Sequence, residues 1–238
     1  LYQKSYDLRI ELKDEDAIAN SLNNIGVVYG SMGKFKKSLE YYEQSLNIRK
    51  KLKNDFGIAT NMMNIGIVYL KMDEPNTALD YLTKGQKIHE KINNKQGVAA
   101  CLKNIGIAYS YQGKYDKTIE NIQQALAIYN EIGDKEGVSN CHRFIGMAQL
   151  KTNQTKEGEQ SLLKSYEIGK EIGYPFLIET AARELYLFYK EKNQPNKALQ
   201  FHELYFQMKD SIESTATKQL ILQNDYKKDI EEQLEKDS

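Results

Sequence analysis

An ungapped repeat of 40 residues runs through most of this sequence and constrains its fold more than any other feature. The tripeptide Asn-Ile-Gly at residues 24–26 returns at 64–66 and 104–106, and as Phe-Ile-Gly at 144–146. A fixed period of roughly 20–50 residues is typical of proteins that stack one small structural unit many times. The chain is therefore predicted to be a solenoid in which each unit contacts only its neighbours.

Each repeat contains two helical patterns separated by a turn. In the first pattern Leu22, Ile25 and Tyr29 share the spacing of one apolar helix face. Glycine at residues 26, 66, 106 and 146 of this pattern implies a helix contact too close for a Cβ. The turn then holds residue types that tolerate the left-handed conformation, namely Gly33, Asp73, Gly113, Asn153 and Asn193. After the second helix, N-cap residue types precede the next repeat, at Asn54, Asn94 and Asp134.

These columns resemble the tetratricopeptide repeat, which has a bulky residue, Leu-Gly and Tyr on its first helix and a small residue, an aromatic residue and Ala-Leu on its second. The first complete unit supplies these positions as Leu22, Ile25, Gly26, Tyr29, Ser38, Tyr42, Ser45 and Leu46. The usual unit has about 34 residues, so the second helix is expected to be extended, as in kinesin light chains, spindle-orientation adaptors and bacterial peptide-sensing regulators. The resemblance implies an all-α fold, a right-handed α-α superhelix, which binds a protein or peptide and is not an enzyme.

The repeat register predicts how the chain is divided. Residues 1–17 align with the second half of a repeat, and five further repeats follow, at about 18–57, 58–97, 98–137, 138–177 and 178–212. Residues 213–238 are charged and carry apolar residues at mostly four-residue spacing, which predicts a C-terminal helix or coiled-coil linker. Because a similar helix follows the repeats of bacterial signalling proteins, the chain resembles the sensor region of a larger protein of that kind.

The charge balance and the absence of known catalytic motifs argue against nucleic-acid binding, a membrane span and cofactor chemistry. The chain has 33 basic and 33 acidic residues, whereas a nucleic-acid-binding protein normally carries a basic excess. No apolar run approaches the roughly 18 residues of a membrane span. No phosphate-binding loop, dinucleotide motif or nucleophile elbow occurs, so no cofactor is predicted. The compartment is left open between the cytoplasmic and the periplasmic side of a signalling protein.

The resemblance places the first helices on the concave face, where three columns are expected to line a groove. The candidate residues are Asn23, Asn24, Val27, Met63, Asn64, Ile67, Lys71, Lys103, Asn104, Ile107, Tyr111, Arg143, Met147 and Arg183. They include an apolar strip, an amide ladder over the first three units, and basic residues towards the C-terminal half. Amides can bond the backbone of an extended peptide, and the cations can pair with acidic side chains or a terminal carboxylate. The predicted ligand is therefore a protein or peptide segment with apolar and acidic residues.

Two alternatives remain open from the sequence. The asparagines could instead bridge adjacent helices structurally, with the chain's own C-terminal helix covering the apolar strip. The chain could also be a homo-oligomerisation module, in which the degenerate last repeat and the C-terminal helix form a homodimer contact.

The cysteines are predicted to be packing residues, and the histidines are not predicted to bind a metal. Cys101 and Cys141 occupy the same register of adjacent repeats, and equivalent positions on packed helices lie about 8–10 Å apart. An unstrained disulfide needs Cα atoms within about 7 Å, so both are expected to be small buried residues. His89, His142 and His202 fall in three different registers, and no metal site is predicted from them.

Overall fold

The protein folds into ten α-helices within the part of the chain that is described. A computed structural model describes residues 14–236, with side chains for residues 14–215. The helices are α1 (Glu15–Ser31), α2 (Phe35–Lys51), α3 (Asp55–Lys71), α4 (Pro75–Lys91), α5 (Lys95–Tyr111), α6 (Tyr115–Glu131), α7 (Lys135–Lys151), α8 (Thr155–Ile172), α9 (Pro175–Glu191) and α10 (Pro195–Lys236). Residues 14–236 contain no strand, and the predicted all-α fold of helix–turn–helix repeats is confirmed. Residues 1–13 of the expected half repeat lie outside the described residues.

The 40-residue period follows from the lengths of the elements. Helices α1 to α7 each have 17 residues, and three residues separate each helix from the next. Two such helices and two such turns make one repeat, so the second helix is as long as the first. This explains why the period exceeds that of a typical tetratricopeptide unit.

Every turn contains one residue with a positive φ, which ends one helix and reverses the chain. These residues are Gly33, Lys53, Asp73, Asn93, Gly113, Gly133, Asn153, Gly173 and Asn193, with φ between 54° and 72°. The predicted turn column is confirmed. The predicted N-caps are also confirmed, since the side chains of Asn54, Asn94 and Asp134 accept hydrogen bonds of 2.8–3.1 Å from the backbone N–H three residues later.

Close helix contacts within each repeat explain the glycines inside the first helices. A Cβ added at Gly66 would lie 2.7 Å from Cγ of Leu82, closer than real Cβ contacts. Leu82 itself is fully buried. The expected approach of the two helices at this column is confirmed.

The first helices form the inner layer of the stack and the second helices form the outer layer. Helices α1, α3, α5 and α7 each contact the next first helix along the stack. Among the described residues, no Cα atom of one second helix lies within 8 Å of a Cα atom of another, although the rings of Tyr166 on α8 and Phe201 on α10 are in contact. Because the inner members of a curved stack lie closer together, the first helices line the concave side.

The last helix extends beyond the repeats. Helix α10 is continuous from Pro195 to Lys236 and crosses residue 212, where the sequence places the end of the last repeat. Its first part packs in a buried cluster through Ala198 and Phe201. The division of the chain at residue 212 stays a prediction.

Candidate functional site

The predicted site residues lie on the first helices, and their exposure varies along the stack. Val27 is exposed, whereas Ile67, Ile107 and Met147 are half-buried between neighbouring first helices. Met63, Lys103 and Arg143 are also half-buried, and Lys71, Tyr111 and Arg183 are exposed. In the column of Val27, Ile67, Ile107 and Met147, the residue of the first repeat is therefore the most exposed.

The three asparagines of the expected amide ladder, Asn24, Asn64 and Asn104, differ in burial and in hydrogen-bond partner. Nδ2 of Asn64 donates to Oδ1 of Asn23 at 3.0 Å, which joins α3 to α1. Asn104 is buried and its Nδ2 donates to the carbonyl of Ala100 on the same helix at 2.8 Å. Asn24 is exposed. The structural bridge considered for these amides is thus present between the first two repeats, and a role of Asn23, Asn24, Asn64 and Asn104 in ligand binding stays a prediction.

A cleft of about 480 Å³ between α5 and α7 brings together five of the predicted residues. They are Ile107, Tyr111, Arg143, Met147 and Arg183. The cleft is also lined by Ser110, Tyr115, Thr118, Phe144, Ala148 and Lys151. Sequence reasoning missed Tyr115 and Thr118 because they belong to α6, whereas the candidates were sought on first helices.

The charges of this cleft are all positive. Its lining includes Arg143, Lys151 and Arg183 and contains no carboxylate. Arg183 is paired with Glu184 at 2.8 Å, whereas Arg143 forms no ion pair with any residue of the described part. Burial is the main cause that lowers the pKa of Arg143, and the charge of Arg183 lowers it further.

Lys103 extends this positive region onto the preceding repeat. Burial lowers its pKa, and the nearby charge of Arg143 contributes in the same direction. The inner surface therefore holds two like charges near each other in a partly dehydrated setting. Such an arrangement favours the binding of an anion.

A second cleft of about 500 Å³ lies on the other side of α7, between α7 and α9. It shares Met147 and Lys151 with the first cleft and adds Glu184 and Glu191 as carboxylates. Leu187 is half exposed at its edge. The inner surface thus changes from positive to mixed charge across one helix, a change that the sequence columns did not reveal.

The histidines, cysteines and carboxylates of residues 14–215 were the remaining candidates for a metal site. No three His, Cys, Asp or Glu side chains there are grouped so that they could hold a metal ion. Cys101 and Cys141 are free thiols that are buried, as predicted. Burial raises the pKa of each thiol to about 12, which makes them unreactive at neutral pH.

The fold and the repeat columns can be compared with known proteins. A family profile for the tetratricopeptide repeat matches residues 1–51, 57–131 and 99–171, which together make up more than half of the chain. The chain belongs to the tetratricopeptide repeat family. A comparison with curated protein sequences returns no significant match.

Several solved structures share this fold at low sequence identity. BtubC from P. vanneervenii has a TM-score of 0.72 at 13% identity, covering 89% of each chain. The Rap conjugation gene regulator of plasmid pLS20, in complex with the Phr* peptide, has a TM-score of 0.74 at 16% identity, covering 83% of this chain and 55% of that one. Aspartyl phosphate phosphatase F from Bacillus subtilis has a TM-score of 0.70 at 15% identity, covering 87% of this chain and 64% of that one.

These findings identify the protein as an interaction scaffold by fold. Tetratricopeptide repeats are typically non-catalytic and present an extended binding surface. The chain spans less than two thirds of the pLS20 regulator and of the phosphatase. None of the described helices has the length and apolar character needed to cross a membrane.

Proposed function

We propose that this chain recognises a peptide, or an extended segment of a partner protein, on the inner surface formed by its first helices. The observation that carries the proposal is the continuous inner layer of α1, α3, α5, α7 and α9, with two clefts on either side of α7. Clefts of some 300–1,000 Å³ with apolar walls and a few polar groups are typical of binding sites.

The ligand chemistry follows from the lining of the inner surface. Ile107, Met147 and Tyr111 offer apolar contacts, and the basic residues of the first cleft offer ion pairs to acidic groups. A ligand with apolar and acidic residues fits both features. No nucleic-acid or cofactor role is part of the proposal.

The proposal includes a signalling context. A Rap regulator of similar fold was solved in complex with a peptide, which supports peptide recognition by the present chain. We therefore place the chain as the sensor or adaptor region of a larger bacterial signal-transduction protein.

A peptide selection on the full chain tests the proposed surface. A random library of synthetic heptapeptides, made with free or with amidated carboxyl ends, is screened against the wild type, and the affinity of enriched peptides is measured by fluorescence anisotropy. We expect the double substitution Ile67→Glu and Ile107→Glu to weaken binding at least tenfold, because both side chains lie on the inner layer.

The control places the same change on the outer layer. Gln123 and Gln124 are exposed on the second helix α6, so the double substitution Gln123→Glu and Gln124→Glu is expected to leave the affinity unchanged. Equal losses for both double variants, or no enriched peptide at all, would overturn the proposal.

A second candidate function is assembly of two copies through the last repeat. Leu199 and Phe206 on α10 are 58% and 45% exposed, and they are equivalent to Leu39 and Leu46, which pack in the cluster joining the first two repeats. An apolar stacking face without a following helix among the described residues favours self-association. Sedimentation of the full chain separates the candidates: a dimer that is lost on Leu199→Glu with Phe206→Glu supports assembly, and a monomer argues against it.

A further inference from the structure

Arg143 is a partly buried cation that forms no ion pair with any side chain of residues 14–215. Its Nε is buried and has no hydrogen-bond partner. Its Nη1 contacts only Sδ of Met147, at 3.7 Å, and a thioether is a weak acceptor. The guanidinium lies 4.1 Å from the centre of the Phe144 ring. Buried charges in proteins are ordinarily paired, so this one is left short of a partner.

The two carboxylates whose charges act on Arg143, those of Glu184 and Glu179, form no ion pair with it. The charge of Glu184 reaches Arg143 and favours its protonated form, but Glu184 is bonded to Nη2 of Arg183 at 2.8 Å. Glu179 acts on Arg143 only through its charge. The first cleft, into which Arg143 faces as a lining residue, contains no carboxylate of its own.

The walls beside Arg143 are apolar. Ile107 and Met147 are half-buried there, and Tyr111 is 52% exposed. A ligand group that enters this cleft therefore meets the guanidinium of Arg143, with Lys151 and Arg183 as further cations of the lining, and an adjoining apolar wall. The guanidinium presents several N–H donors in a plane, which suits a carboxylate bound through both of its oxygens.

We propose that the cleft between α5 and α7 is the anchoring subsite of the ligand, in which a single carboxylate pairs with Arg143 and the apolar side chain next to it packs on Ile107, Tyr111 and Met147. This inference rests on the proposed peptide-binding function and gives it a specific anchor. The carboxylate belongs either to an Asp or Glu side chain or to the free carboxyl end of the peptide. Both sources present the same chemistry to Arg143.

The test is a double-mutant cycle on the full chain. A peptide enriched by the wild type is compared with its analogue in which each carboxylate in turn is replaced by an amide, Asp by Asn or the free end by an amidated end. We expect one of these replacements to weaken binding to the wild type at least tenfold, about 1.4 kcal/mol. The same replacement should have no effect on binding to Arg143→Gln.

Two further variants keep the result interpretable. Arg143→Lys retains the charge but not the planar pair of donors, so it should bind less tightly than the wild type and still prefer the carboxylate form. Lys156 is exposed on α8 and forms no ion pair within the described part of the chain, so Lys156→Gln should behave as the wild type. Circular dichroism checks that each variant is folded. If Arg143→Gln is misfolded, the cycle uses Arg143→Lys, for which the amide replacement should weaken binding less than it does for the wild type, and an equal effect on both would overturn the anchor.

The outcomes separate this inference from the proposed function. If peptides bind and the inner-layer substitutions abolish binding, but the amide replacements have equal effects on the wild type and Arg143→Gln, the anchor is wrong and the function stands. If no peptide binds, both are overturned. Which replacement is coupled to Arg143 tells whether the carboxylate is internal or terminal.

Discussion

We call the contact between the second helix of one repeat and the first helix of the next a joint. The first three joints and the fourth joint each pair a glycine with a large side chain, but the two positions are exchanged at the fourth. At each of the first three, a large side chain near the end of a second helix covers a glycine of the next first helix. The pairs are Arg49 with Gly57, His89 with Gly97, and Tyr129 with Gly137. At the fourth joint the glycine is Gly169 on the second helix, and the large residue is Leu177 on the next first helix.

The comparison shows that a joint constrains the combined volume of its two residues and not the identity of either residue alone. Arg49, His89, Tyr129 and Leu177 are all at most 5% exposed, although they differ in charge and come from two different columns. Close-packed interiors tolerate changes that conserve the total volume better than changes at one position. The last repeat is therefore joined to the stack by a pair of the same kind in reversed order.

The largest loss of stability is expected when the large side chain of the fourth joint is removed. Leu177 is 1% exposed and faces Gly169, so Leu177→Ala would leave small residues on both sides and a cavity between them. We expect a loss of about 3 kcal/mol in the free energy of unfolding, measured by urea denaturation. Leu187→Ala is the control, because Leu187 is 50% exposed on the same helix and should change stability by about 0.5 kcal/mol or less. Similar losses for the two variants would mean that the reversed joint is not tightly packed.

The next largest loss of stability is expected when a side chain is added at the glycine of one of the first three joints. A Cβ at Gly97 would lie 2.5 Å from Cγ of His89, whereas a Cβ at Gly169 would lie 3.1 Å from Cβ of Leu177. Gly97→Ala is therefore expected to destabilise the protein by about 2 kcal/mol, and Gly169→Ala by less than about 1 kcal/mol.

Reversing a joint by design sharpens this test. The double substitution His89→Gly with Gly97→Leu copies the fourth joint onto the second, and it should be more stable than Gly97→Leu alone. If the double variant is the less stable of the two, the volumes of the two positions are not coupled.

His89 makes the second joint sensitive to pH. Its Nδ1 lies 3.1 Å from Nδ2 of Asn94, whose Oδ1 already accepts from the N–H of Gly97. Burial lowers the pKa of His89, so the neutral ring stabilises the fold fully above its unfolded pKa of about 6.5. That contribution is lost as the pH falls below 6.5 towards the folded pKa, by at most about 1.4 kcal/mol per pH unit.

The measurement compares urea midpoints between pH 7.5 and pH 5 for the wild type and His89→Tyr, which introduces the residue of the third joint. We expect the variant to lose part of the pH dependence. Burial also lowers the pKa of His142, and His142→Leu measures that second contribution. An unchanged slope in His89→Tyr would show that the joint does not depend on the neutral ring.

The smallest effect is expected from the ion pairs that link the two helices of a repeat. Lys95 and Glu131 lie 2.5 Å apart with side chains 60% and 58% exposed, and Lys135 and Glu171 repeat the arrangement one unit later. Exposed pairs of this kind contribute little, so Lys95→Gln should change the free energy of unfolding by about 0.5 kcal/mol or less. A loss comparable to that of Gly97→Ala would mean that charge contributes as much as packing to holding the two helices of a repeat together.

Much of the fold could be predicted because the repeat presents each structural problem several times. The turn residue alternates between Gly, Asp and Asn at 33, 73 and 153, and all adopt a positive φ. The reversed joint was also present in the sequence, as glycine at 57, 97 and 137 but leucine at 177. It was missed because the two columns had to be compared as a pair.

The candidate site was less predictable than the fold. The columns placed Ile107, Arg143 and Met147 on one helix face, and the structure brings them to one cleft. Whether Arg143 has a counter-ion depends on where Glu184 bonds, and that is decided by the neighbouring side chain of Arg183. Spacing alone likewise does not fix the partner of each asparagine, since Asn64 bonds to Asn23 on another helix and Asn104 bonds to the carbonyl of Ala100 on its own helix.

The 40-residue period by itself determined the helices, their turns and their order, because local spacing and turn chemistry recur in every unit. The tertiary structure alone decided which glycine faces which side chain and which charges remain unpaired. Those properties depend on contacts between helices that are close in space but far apart along the chain. The repeat spacing therefore predicts little about the cleft between α5 and α7, because the residues that line this cleft differ from the equivalent residues of other repeats.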